Sequence, residues 1–190
     1  MERQLRRNIK PRDARLHIFK LAAEKTEVIL LTKKRIPLEV SMKLTGITLK
    51  TQRVIKYLGV RLDPRLTYWA QMQHAAAKAA KVTAYLSRLM ANIGGLTQSK
   101  RKLLMSTTLN ILLYGAEIWA DTLQKKNRCK TLSRAHRTAA LRVASAYRTV
   151  PGEAILVISG TVPVDLLAAE RKKMWEFKAQ TNPSANERER

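Results

Sequence analysis

The aspartates Asp13, Asp63, Asp121 and Asp165 are the residues best suited to metal-assisted chemistry, and they stand far apart along the chain. No two of them are adjacent or spaced as Asp-x-Asp, the arrangement that would hold two magnesium ions. The phosphate-cradling G-x-x-x-x-G-K-[ST] loop, the G-x-S-x-G elbow and the H-E-x-x-H helix are all missing. Glu24 and Glu27 flank Lys25 and read as charges at the edge of a strand. The single cysteine, Cys129, excludes a disulfide framework and a cysteine-based zinc site. His17, His74 and His136 are too scattered to suggest a ligand set, and each reads as a surface residue on a helix. An active site complete within this chain, or a bound metal, is therefore not expected.

The chemistry the sequence does support is phosphate binding. Lys78, Lys81, Tyr85 and Arg88 follow helical spacing and share one face, with His74 beside them. Lys130, Arg134 and Arg137 line the polar side of a later helix. Lys100, Arg101 and Lys102 fall in the first turn of a helix, where the macrodipole favours anions. Cations placed there fit a phosphate that the helix end and the side chains bind together. Any one stripe alone fits an ordinary solvated face. The whole composition shifts the balance: 37 Lys and Arg against 14 acids give a net charge of +23 in 190 residues. Such an excess calls for a polyanionic partner, nucleic acid first and an anionic membrane surface second. Few aromatic residues interleave with the charges, Tyr85, Trp69 and Tyr68 being the candidates. The contacts should therefore be to phosphates, without sequence preference, and weaken steeply with salt.

The elements that must position these residues divide the chain in two. Residues 26–32 (TEVILLT), 47–52 (ITLKTQ) and 54–61 read as strands, of which the last two pair in a small antiparallel sheet of two or three strands. Gly59 interrupts the last of them and Asp63-Pro64 ends it. From Tyr68 the apolar period becomes helical, with Met72, Ala75, Ala79, Val82, Leu86 and Leu89 on one stripe. Gly94 and Gly95 close that helix. Thr97 or Ser99 caps the next, which is expected to run to about Trp119 as the central, most buried helix. Its apolar run from Leu103 carries Ser106, Thr107, Thr108, Asn110 and Glu117, so it reads as a core helix rather than a membrane span. Residues 124–130 read as a loop running into a helix start. A third helix over 129–147 buries Leu132, Ala135, Ala139, Val143 and Ala146. A short helix over 151–158 starts on Pro151 behind a Thr149 cap and stops at Gly160, and Pro163 opens the last helix, to about Lys178. The fold class is α+β: a small antiparallel sheet followed by a bundle of about five helices. The opening residues are basic and lack a signal-peptide core, so a reducing compartment, nucleus or cytoplasm, is expected.

Several stretches carry a family likeness: KLAAEKTEVILLT (20–32), KYLGVRLDPRLTY (56–68), RLMANIGG (88–95), ILLYGAEIWA (111–120), the run 140–163 and LLAAER (166–171). In this order they resemble the reverse transcriptases of non-LTR retrotransposons, arthropod elements that insert in ribosomal RNA genes above all. The resemblance spans roughly residues 20 to 178 and implies an RNA-directed DNA polymerase of right-hand architecture. It places Lys25 near the incoming triphosphate and Tyr57, Leu58 and Gly59 in the primer grip, a hairpin holding the primer end. The same resemblance divides the chain into a basic segment 1–19 outside the family pattern and palm-edge strands over 20–66. Thumb helices over 67–122, a post-thumb helical region over 123–178 and a tail over 179–190 follow. The family's catalytic aspartates, fingers and most of its palm have no counterpart in these residues, and neither does its magnesium site. The expected role is therefore template–primer binding beside the rest of a polymerase, and the chain alone should be inactive. The alternatives are a free-standing basic helical protein that coats nucleic acid, or a vestigial product without a selected function.

Overall fold

The computed structural model describes residues 26–32, 40–44, 47–91 and 95–181. Among them the fold is α+β, with six α-helices and two separate two-stranded antiparallel sheets. The first hairpin joins β1 (Ser41–Leu44) to β2 (Ile47–Lys50), and the second joins β3 (Ile55–Tyr57) to β4 (Val60–Leu62). The expected single sheet is thus two hairpins. The stretch 26–32 does not form a regular strand: Val28 makes one isolated parallel bridge to Thr51. Gln52 N–H donates to the Val28 carbonyl and Thr32 N–H to the Pro64 carbonyl, so the segment is pinned at two points without a continuous ladder. β1 is not among the expected strands, because the SMKL stretch lacks β-branched residues; its signal is the Thr45-Gly46 spacer before ITLK.

Asp63 ends the second hairpin and starts the helical half. Its carboxylate accepts the N–H groups of Thr67 (2.9 Å) and Tyr68 (2.6 Å). These bonds hold Tyr68 in the left-handed region just before α1 (Trp69–Ser87). The alanine-rich sequence of α1 has high helix propensity, and Met72, Ala75 and Ala79 are buried as expected. The helix stops at Ser87, however, so Leu89 falls beyond it and is exposed. Gln71 and Thr83 are buried polar residues on this face, and both are hydrogen-bonded. Arg61 N–H donates to Gln71 Oε1 at 3.0 Å, and the Thr83 and Thr108 hydroxyls hydrogen-bond at 3.2 Å.

The expected central helix is broken. α2 covers Gln98–Leu112, and after Leu113 to Gly115 the chain re-enters a short helix, α3 (Ala116–Trp119), followed by a 3₁₀ segment over Ala120–Gln124. Gly115 has φ of +69°, and a Cβ there would lie 2.8 Å from Val60 Cγ2. A side chain would therefore push β4 off the bundle. Nor is α2 buried all round: Leu103 is 73% exposed, and Lys100, Lys102 and Thr107 face solvent to varying degrees. The largest fully buried side chain of this region is Trp119, whose indole N–H donates to the Tyr114 carbonyl at 3.0 Å. Arg171, from α6 (Val164–Thr181), donates to the Leu113 carbonyl (3.2 Å) and Asn110 Oδ1 (3.0 Å). A cation thus satisfies the carbonyl end of α2.

α4 (Lys126–Val143) begins inside the expected 124–130 loop and ends before Ala146, which is only half-buried. α5 (Gly152–Ser159) starts just after Pro151, which makes no side-chain cap bond, and is closed by Gly160 at φ +60°. Thr161 N–H then returns to the Leu156 carbonyl. α1, α2 and α4 pack on one another, α5 docks on α4, and α6 packs against α3, the 3₁₀ segment and α4. One core joins Val60 of the hairpin to Met72, Leu112, Trp119, Leu132 and Val164.

His136 is not a surface residue. It is 2% exposed on the inner side of α4, between Ala135 and Ala139. Burial pushes its pKa below the ordinary 6.5, and the nearby Asp165 charge pulls only partly the other way. When the pH falls through about 6.5 the unfolded chain takes up this proton before the folded one. Stability should therefore be greater at pH 8 than at pH 5.5, and His136→Phe should remove part of that difference. Urea denaturation of both chains at the two pH values measures it; an equal pH dependence in the two would mean that His136 protonates as readily folded as unfolded.

Candidate nucleic-acid interface

Cationic and polar side chains gather where the second hairpin meets α1 and α2. The β3–β4 turn is made by Leu58 and Gly59, both at positive φ (46° and 84°), the geometry of a tight hairpin turn. Tyr114 holds this turn from just beyond the end of α2. Its hydroxyl donates to the Leu58 carbonyl at 3.0 Å, and its ring packs so closely on Gly59 that a Cβ there would lie 2.8 Å from the phenolic oxygen. Glycine is required at 59 twice over, by the turn and by the ring. Leu58 itself is 78% exposed and Tyr57 is exposed beside it, so the tip projects an apolar surface.

Lys56 and Arg61 are direct partners across this hairpin. Like charges in that position repel, which an anion lying over them would relieve. His74 and Lys78 of α1 approach the same place. Burial chiefly, and then the positive charges of Arg61, Lys78 and Lys56, lower the His74 pKa. Lys56, His74 and Lys78 line a groove of about 450 Å³ whose other wall is Thr107, Asn110 and Tyr114. The groove therefore offers two lysines, an imidazole, hydroxyls and amides around a glycine turn. That set suits a phosphodiester approached closely by backbone.

The other sequence-predicted residues separate into exposed cations and structural ones. Lys78, Lys81, Tyr85 and Arg88 are all exposed, with the Arg88 guanidinium 5.6 Å from the centre of the Tyr85 ring. Lys100, Lys102, Lys130 and Arg134 are exposed as well. Arg101 is not part of a first-turn phosphate site. It is 5% exposed, and its guanidinium donates to the carbonyls of Leu96 (2.7 Å), Ala91 (2.6 Å) and Arg142 (3.4 Å) and to the Ser145 hydroxyl. Arg137 is half-buried and donates to the carbonyls of Arg148 (2.7 Å) and Val150 (2.6 Å), bracing the α4–α5 connection. Lys25 lies outside the described residues, as do Asp13, His17, Glu24 and Gly94. Sequence reasoning missed Lys56, Arg61, Asn110 and Tyr114, which come from different elements. The alternation around YLG was the available signal for the Lys56–Arg61 pair.

Asp63 spends both oxygens on backbone N–H groups, and Asp121 pairs with Lys172. Among the described residues no three histidine, cysteine or acidic side chains come together. No single described helix is long and apolar enough to cross a membrane.

No family model and no solved structure matches the chain. It is similar to the retrovirus-related Pol polyprotein from type-1 retrotransposable element R1 of Bradysia coprophila, 26% identical over 143 residues. That match covers 75% of this chain and 14% of the relative. A putative 115 kDa protein in element R1DM of Drosophila melanogaster is 26% identical over 149 residues, 78% of this chain and 14% of the relative. A Pol polyprotein from element R1 2 of Nasonia vitripennis is 27% identical over 124 residues, 65% of this chain and 30% of the relative. These are arthropod non-LTR retrotransposon proteins, the group that the sequence motifs resemble. The chain spans 14% of the length of each of the first two.

The contrast between Arg101 and its neighbour Lys100 is open to direct measurement. Arg101→Ala should lower unfolding stability by about 2–5 kcal/mol, because it leaves the part-buried carbonyl bonds of a buried guanidinium unmade and removes its charge-assisted contacts. Lys100→Ala should change stability by no more than about 0.5 kcal/mol. Equal and small effects in urea denaturation would return Arg101 to the surface cluster.

Proposed function

We propose that this chain serves as the primer-grip and thumb part of a retrotransposon reverse transcriptase, gripping a template–primer duplex through its phosphates. The convergence of Lys56, His74 and Lys78 on one groove beside the Leu58-Gly59 turn, with Arg61 next to it, carries this reading. Similarity to R1 Pol polyproteins supports the source of the part. In the proposed arrangement the β3–β4 turn lies against the primer end, and Gly59 lets backbone come close to it. The exposed side of α1 and its C-terminal end, with Lys81, Tyr85 and Arg88, continue the contact along the duplex. α4 to α6 form the region following the thumb, with Lys130 and Arg134 as further phosphate contacts.

Nucleotidyl transfer is assigned to carboxylates and magnesium held by the rest of the polymerase, and Lys25 to the neighbourhood of the triphosphate. The partner for the N-terminal hairpins is that same remainder of palm and fingers. Leu31, Met42 and Ile47, exposed on the hairpin region, supply apolar surface for it. The work would be done where the element's RNA and DNA meet, in nucleus or cytoplasm.

Two measurements test this reading. Replacing Lys56 and Lys78 together by glutamate should weaken binding to an RNA–DNA duplex. The slope of log affinity against log salt should flatten by roughly 0.7–0.9 for each phosphate that is no longer neutralised. The same pair of changes at Lys130 and Arg134 should have the smaller effect, and a slope unchanged by Lys56 and Lys78 would move the interface off the groove. Primer extension by the purified chain with Mg²⁺ or Mn²⁺ should give no product; steady incorporation would overturn the placement of the carboxylates elsewhere.

A further inference from the structure

Gln71 lines the basic groove with half of its hydrogen-bonding capacity unused. It is 3% exposed, and its Oε1 accepts the Arg61 N–H at 3.0 Å. A backbone N–H can only donate, so this bond fixes which end of the carboxamide is oxygen and leaves the nitrogen for another partner. Among the described residues that nitrogen has none, yet it is not sealed: His136 Nε2 is the one side-chain nitrogen or oxygen there that is both unpartnered and without accessible surface. Because Gln71 lines the groove, the small access that its nitrogen keeps is to the groove. A buried donor left unpaired is costly, and most such groups are paired. Across the groove Asn110 is fixed in the same sense, its Oδ1 taken by Arg171 at 3.0 Å. No carboxylate is in the lining, and the exposed Lys56 and Lys78 bring positive charge to it. Donors and cations without competing acids call for a ligand rich in acceptors.

We propose that the groove is a binding site for a phosphomonoester, the terminal phosphate of a nucleotide, which enters end-on and gives one oxygen to Gln71 Nε2 and the others to Lys56 and Lys78. The inference rests on the duplex reading for the phosphate chemistry of this groove and goes past it by naming the form of phosphate that reaches the floor. A phosphate inside a strand carries a single charge, has ester links on two sides and keeps its free oxygens along the outside of the helix. A terminal phosphate carries about −1.5 to −2 charges at neutral pH and presents three free oxygens on a projecting group. Its charge matches the two ammoniums, and its projection matches a donor that only an entering group can touch. Ala75 and Ile111 in the lining leave an apolar side for the attached sugar or base. The space of about 450 Å³ lies within the usual range for small-molecule sites, roughly 300–1,000 Å³. The phosphate belongs either to a free mononucleotide or to the phosphorylated end of a strand, and its chemistry at Gln71 is the same in both.

The test titrates the full chain with adenosine 5′-monophosphate and adenosine 3′,5′-cyclic monophosphate, a monoester and a diester of one nucleoside. The ratio of the two affinities is compared between the wild-type chain and Gln71→Met, so the pull of surface lysines on the greater charge cancels. The preference for the monoester should fall roughly tenfold in Gln71→Met, the worth of one hydrogen bond to a charged group. In the wild-type chain the side-chain amide resonance of Gln71 should move as the monoester binds. A single-stranded DNA decamer with a 5′-phosphate or a 5′-hydroxyl separates the two sources. An end effect that Gln71→Met removes assigns the strand end, and its absence beside the mononucleotide effect assigns the free nucleotide. Thr107→Trp, at an exposed position of the opposite wall, should abolish the preference by filling the groove, and so serves if Gln71→Met does not fold. The salt slope for an RNA–DNA duplex is measured alongside, and Gln71→Met should leave it unchanged because no charge is lost. A monoester preference that survives both substitutions, or an amide resonance unmoved at millimolar probe, overturns the inference. If the duplex slope still depends on Lys56 and Lys78 in that case, the duplex reading stands without it.

Discussion

The docking of the second hairpin on the end of α2 is the constraint on which the rest depends. Three residues enforce it. Gly115 has no side chain, so Val60 reaches the core; Tyr114 fixes the turn through the Leu58 carbonyl; Gly59 leaves room for the tyrosine ring. The Tyr114–Leu58 bond closes an interval of 56 positions, so the joint is a tertiary one with no local support. Without it the hairpin would be an isolated two-stranded unit, which is marginal in water. With it, Lys56 and Arg61 are carried to within electrostatic reach of His74 and Lys78. The groove is thus a consequence of packing, and its charges are held by a core rather than by one another.

Charge count and charge position have different meanings in this molecule. Arg101 and Arg137 belong to basic clusters in the sequence, yet both bind backbone carbonyls in the connections between helices. Guanidinium is suited to that work, since its several donors form a rigid fork and its charge is never lost. The lysines of the same clusters stay in solvent, as a strongly hydrated point charge prefers. A net charge of +23 therefore overstates the binding surface, and the arginines that brace helix ends are part of the difference.

Much of the fold was legible because α1 and α4 have strong apolar periodicity and the turn residues stand where turns occur. Met72, Ala75, Ala79, Leu132, Ala135, Ala139 and Val143 follow from spacing alone, and all are buried. The break in the central helix was not legible, because the sequence around Gly115 is apolar on both sides and its reason is a contact with Val60, remote in sequence. The burial of His136 was hidden for a similar reason: a histidine among alanines fits a solvated face or a core equally well until neighbouring helices are present. The candidate groove was half legible. Its helical residues follow from a stripe, whereas Lys56, Asn110 and Tyr114 are joined by tertiary structure alone.

The two kinds of surface suit two kinds of contact. The proposed grip on the end of a strand needs fixed geometry, and the two-residue turn locked by a hydrogen bond and a ring is of that kind. A hold along the remainder of a duplex must tolerate any sequence and must be able to slide. Exposed lysines on long flexible stems are suited to that, since each trades a hydration shell for a phosphate without a fixed register. Arg88, lying over the Tyr85 ring at the end of α1, is instead restrained by its aromatic neighbour. Self-repulsion among so many like charges also weakens the folded chain in isolation, and a bound polyanion relieves it. Ligand binding to the folded form alone then adds stability by mass action. In the proposed role, charge and fold are in this way coupled: the excess that would attract a duplex would also leave the chain more stable bound than free.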